Sequence, residues 1–105
     1  MEKLDRNTVS RALRDKIYSL ERELRFVSGV KYVDIRYYDA GYSSVTLRMK
    51  VELYENTSRR WAESDIRRKV ELFVGDIIYS LSREYDTSSW YNPNIWLDID
   101  FEGGN

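Results

Sequence analysis

Apolar residues recur along the chain at two periods, one close to a helical turn and one of every second position. From Thr8 to Val27, the residues Val9, Leu13, Ile17, Leu20, Leu24 and Val27 follow at steps of four and three, which places them on one helical stripe. Thr8 is the expected N-cap, and Glu21 and Arg25 stand in the favourable i,i+4 order. Ser28-Gly29 then stops the helix, with Gly29 free to take the left-handed conformation of the C′ position. A second stripe of Ala62, Ile66, Val70, Phe73, Val74, Ile77 and Leu81 predicts a helix from Ser58 to Arg83, with Glu63–Arg67 and Asp65–Lys69 pairing on its wet side. Gly75 falls inside that helix at a cost of ~1 kcal/mol relative to Ala, and close approach of a neighbouring element is the expected reason.

Between and after the helices the period drops to two. Val33, Ile35 and Tyr37 alternate with Tyr32, Asp34, Arg36 and Tyr38; Val45, Leu47, Met49, Val51 and Leu53 alternate with Ser44, Thr46, Arg48, Lys50, Glu52 and Tyr54. Strict alternation predicts strands with one buried and one open face. Asp39-Ala40-Gly41-Tyr42 reads as the hairpin turn between them, with Gly41 supplying positive φ. A third strand turns Ile95, Leu97, Ile99 and Phe101 inward and Trp96, Asp98, Asp100 and Glu102 outward, and Gly103-Gly104-Asn105 reads as a loose tail.

The predicted class is α+β: an α-β-β-α-β two-layer sandwich, with both helices on one face of a three-stranded mixed sheet. The crossover from the second strand to the third should be right-handed and make those two strands parallel. The second strand, the longest and most regularly apolar, belongs in the middle. With 105 residues, the whole chain fits one domain.

This order, with Gly29-Val30 at the first helix-to-strand junction, resembles two small modules: the cytoplasmic C-terminal domain of cation diffusion transporters and the ring-building domain of secretion and sporulation assemblies. The topology is related to the ferredoxin-like arrangement. Both resemblances cover the last ~85 residues as topology, and both imply homo-oligomers. The metal role of the transporter domain does not carry over, because that domain binds through His and this chain has none.

Composition narrows the chemistry further. With no Cys and no His, the chain lacks the usual zinc ligands, thiol nucleophiles and Ser-His-Asp triads, and no cofactor site is legible. Seventeen basic and eighteen acidic residues leave a net charge of −1, which removes the long-range pull toward nucleic acid or an anionic membrane. No apolar run approaches the ~20 residues that cross a bilayer. The charged opening MEKLDRNTVSRALRD is not a secretory signal, so cytoplasm is the expected compartment. Nine Tyr, three Trp and an excess of Arg over Lys are the enrichment of a contact surface.

The open sheet face is therefore the leading candidate site. Tyr32, Tyr38, Tyr54 and Trp96 lie on it with Arg48, Lys50 and Asp98. As a bland solvated face it holds cross-strand ion pairs; as a docking face it buries a second copy or a protein partner. Asp98 and Asp100 project together as Mg²⁺ ligands do, but Arg48 and Lys50 are expected to neutralise them. The acids also argue against RNA stacking on these rings. A second candidate is the loop from Asp86 to Asn94, where Trp90 and Tyr91 either close the core or meet a partner. The sheet edges are a third, since a two-fold through the first strand would set Tyr37 and Tyr38 across the axis.

The expectation is a non-enzymatic, self-associating or partner-binding domain, most simply a homodimer. A designed scaffold is an alternative that clean alternation and the lack of Cys and His would suit, although interior Gly75 and a surface modest in Glu and Lys do not. A small phage or viral assembly or regulatory protein is the other.

Overall fold

The computed structural model describes residues 2–39, 44–86 and 94–105. Five elements follow in the order α1 (Arg6–Arg25), β1 (Val30–Asp39), β2 (Ser44–Leu53), α2 (Arg59–Glu84) and β3 (Asn94–Gly103). The sheet order is β1-β2-β3, with β1 antiparallel and β3 parallel to the central β2. This is the α+β arrangement expected from the two hydrophobic periods. The predicted hairpin turn at Gly41 lies outside the described residues.

The odd strand positions enter the core as the alternation requires. Val33, Leu47, Met49, Val51, Leu53, Ile99 and Phe101 are buried, and Ile35 and Leu97 pack partly buried against them. The side chains of Tyr37, Val45 and Ile95, expected in the same set, lie outside the described ones. Leu20, Leu24 and Val27 of the α1 end and Ala62, Ile66 and Val70 of α2 close over that face. Each such side chain contributes about 1.5–3 kcal/mol on leaving water.

A second cluster joins Leu4, Val9 and Leu13 to Ile77 and Leu81, with Phe73 packed against both clusters. The start of α1 thus meets the end of α2, and the two helices run antiparallel. All five elements lie along one direction, giving extents of 50 × 23 × 19 Å.

Several local details differ from the sequence reading, each for a physical reason. Asp5, rather than Thr8, caps α1: its Oδ1 accepts from the Thr8 N–H at 2.8 Å and from the Thr8 hydroxyl at 2.9 Å. A carboxylate three residues earlier satisfies a free helix N–H and leaves Thr8 inside the first turn. Gly29 has the expected positive φ of 88°, but it is not the C′ residue, because α1 already ends at its cap Phe26. Gly29 instead turns the chain against Thr57, whose side chain fills the space a Cβ would need.

On α2, Glu63 pairs with Arg59 at 3.0 Å and Asp65 with Arg68 at 3.0 Å, in place of the Arg67 and Lys69 expected. Arg67 leans over β3 instead, its guanidinium 5.9 Å from the centre of the Phe101 ring. Among the described residues, no neighbouring element approaches Gly75: a Cβ there would meet nothing of theirs within 4 Å. The expected loose tail is tied down, since the Asn105 N–H donates to Thr57 O at 2.8 Å and Asn105 O accepts from the Arg59 N–H at 3.2 Å. That carbonyl satisfies one of the donors left free at the start of α2. At the other end of α2, Leu4 and Glu2 bracket Asp86 with two backbone hydrogen bonds, of 2.9 and 2.7 Å.

Candidate interaction face

Because the helices cover one side of the sheet, the even positions are left on the other, and register arranges them in rows. From one end these are Tyr38–Thr46–Trp96, Arg36–Arg48–Asp98, Asp34–Lys50–Asp100 and Tyr32–Glu52–Glu102. A bulge between Val30 and Tyr32 keeps Tyr32 on this face while shifting Lys31 out of register.

Three ion pairs run along and across the strands. Arg48 Nε lies 3.0 Å from Asp98 Oδ2, as the alternation predicts, and Arg36 Nε lies 3.2 Å from Asp34 Oδ2 on the same strand. Lys50 departs from expectation: its Nζ reaches Glu102 Oε1 at 3.1 Å, and Asp100, directly opposite, is not within ion-pair distance. The hydrogen bond and charge of Glu102 raise the Lys50 pKa above the ordinary lysine value, with Glu52 and Asp100 adding smaller contributions. These pairs are exposed, so solvent screens them and they contribute little to stability. A shallow depression of 430 Å³ lies over Met49 between Tyr32, Asp34, Arg48, Lys50 and Asp100.

The candidate residues do not form one continuous aromatic patch. Tyr32 and Trp96 are exposed on opposite edge strands, separated by three rows, roughly 20 Å along the strands. Thr46, in register with both Tyr38 and Trp96, is buried although it sits on the open face. The Tyr38 side chain is outside the described ones. Tyr54 lies past the end of β2 rather than on it. Its N–H donates to Gly29 O at 3.0 Å, and it lines a hollow with Asn56, Thr57 and Trp61 at the end of the sandwich. Trp90 and Tyr91 lie outside the described residues.

Sequence reasoning missed a second set of large exposed apolar side chains on the helical layer. Tyr18 and Phe26 on and beside α1, and Trp61, Leu72 and Tyr79 on α2, all stand in solvent. The signal was available, because these α2 residues fall on a stripe of their own, away from the buried one.

Among the described residues, no group of three or more acidic, His or Cys side chains is placed to hold a metal ion, and no helix is long and apolar enough to cross a membrane. The chain matches no protein-family model, and comparison with curated proteins finds no significant relative.

Proposed function

We propose that this chain is a non-catalytic, self-associating and partner-binding domain whose uncovered sheet face is the surface that takes a protein partner. The observation that carries the reading is the order of that face: three ion pairs, Arg36–Asp34, Arg48–Asp98 and Lys50–Glu102, framed diagonally by the exposed rings of Tyr32 and Trp96. Rings of this kind anchor protein contacts, while charges already paired cost less to cover than isolated ones. Asp98 belongs to Arg48 in this reading and serves as an ion-pair partner rather than as a Mg²⁺ ligand.

The test is photo-crosslinking in the cells that make the protein, with a benzoylphenylalanine at position 32 or 96 and, as a control, at exposed Arg11 on α1. Discrete protein adducts from positions 32 and 96, and none from 11, support the reading. Equal labelling from all three positions, or none from the sheet, overturns it. An adduct of twice the chain mass would assign the sheet face to a second copy.

A further inference from the structure

The outer side of α2 carries a pattern that the fold itself does not use. At 3.6 residues per turn, Trp61, Arg68, Leu72, Asp76, Tyr79 and Arg83 all fall within about 40° of Leu72 around the helix axis. That stripe is separate from the one buried by Ala62, Ile66, Val70, Ile77 and Leu81. Leu72, near the midpoint of the helix, is 62% exposed, and Trp61 and Tyr79 are exposed to 55% and 66%. A helix apolar on one side needs only that side covered; α2 has large apolar side chains on two.

Gly75 adds an independent observation. It is exposed, one turn from Leu72 and beside Asp76, and nothing among the described residues lies where a Cβ would be. Its helix cost therefore has no reason among the described residues. A bare stretch of backbone beside an exposed Leu is what close approach of another helix uses.

We propose that α2 docks antiparallel on α2 of a second copy, about a two-fold axis at Leu72. The order of charges along the stripe selects this occupant. Under such a two-fold, each residue faces the one equally far on the other side of Leu72 in the partner copy. One turn out, Arg68 meets the partner's Asp76. Two turns out, Asp65 meets the hydroxyl end of the partner's Tyr79. Three turns out, Trp61 meets the partner's Arg83, a cation over the best aromatic face for it. Every polar group on one half of the stripe thus finds an opposite on the other half, a coincidence that a contact with an unrelated protein would not require. Two contacts within the chain already hold these side chains on the stripe: Arg68 beside Asp65 at 3.0 Å and Arg83 over Tyr79 at 6.0 Å.

One helix offers roughly 400 Å² per copy, the low end for a specific interface, so the dimer should be weak, with dissociation in the micromolar range. The inference rests on the reading of this chain as self-associating, and it leaves the sheet face free for a different partner.

The test is sedimentation equilibrium by ultracentrifugation from about 1 to about 200 µM, bracketing that range. Wild type should pass from monomer to dimer. Arg68→Asp and Asp76→Arg each set like charges across the axis and should weaken the dimer by about tenfold or more. The double variant restores opposite charges and should recover most of that loss, which misfolding could not imitate. A wild type that stays monomeric overturns the proposal, as does a dimer indifferent to both single reversals. A dimer abolished by Trp96→Ser but not by Arg68→Asp also overturns it, while supporting the sheet face as the self-contact.

Discussion

Lys50 reaches past Asp100, its partner in register, and places its ammonium 3.1 Å from Glu102. The choice follows from the parallel pairing of β2 with β3, in which side chains lean along the strand and a long one meets its diagonal neighbour. The pKa of Lys50 is raised chiefly by that hydrogen bond. A raised lysine contributes its stability below the ordinary lysine value and loses it as pH climbs through the folded value. Glu102→Gln should therefore lower the Lys50 pKa in an NMR titration, and Asp100→Asn should lower it less. Equal shifts would mean that the diagonal pair does not persist in solution.

At the other end of the molecule the sign is reversed. Asp5 has its pKa lowered, first by the hydrogen bond from the Thr8 N–H and then by that from the Thr8 hydroxyl. Its stabilisation is present above the ordinary Asp value and is lost as pH falls through the depressed one. Asp5→Ala should cost about 1 kcal/mol near neutrality, as N-cap removals do. In urea denaturation the gap from wild type should narrow as pH falls through the lowered Asp5 value. A gap unchanged by acid would place the cost elsewhere than in the ionised cap.

Two glycines should respond oppositely to the same substitution. Gly29→Ala forces a side chain into a φ of 88° and into Thr57, and should destabilise the fold by about 1–3 kcal/mol. Gly75→Ala meets nothing among the described residues and should stabilise the monomer by up to about 1 kcal/mol. Thermal melts of both at low concentration decide the matter, and a destabilising Gly75→Ala would reveal an intramolecular constraint on that position.

The two sides of α2 should also differ. Ile66→Ala opens a cavity in the main core and should cost about 2–5 kcal/mol. Leu72→Ala removes an exposed side chain and should change monomer stability by less than about 0.5 kcal/mol. Comparable losses in chemical denaturation would show that Leu72 is covered within the monomer.

Much of this was legible before any coordinates. Strict alternation through Leu47, Met49, Val51 and Leu53 marked a half-buried strand, and its regular apolar face placed it centrally; length did not distinguish it, since all three strands have 10 residues. The stripes of α1 and α2 marked the faces they bury. The positive φ of Gly29 was readable too, although its role beside Thr57 was not, because the two residues meet only once β1 and β2 have paired. Tyr54 was assigned to the sheet face by parity alone, which stops applying where the strand ends at Leu53. The exposed side chains of Trp61, Leu72 and Tyr79 escaped notice because a helix with one good apolar stripe invites no search for another.

Period and parity act locally, so the chain alone decided which side chains leave water and which elements form. Whether Lys50 meets Asp100 or Glu102, whether Asn105 finds the start of α2, and what stands opposite Gly75 are distances between segments far apart in the chain. Such distances have no value until the packed layers set them, and it is there that tertiary structure, rather than pattern, decided the outcome.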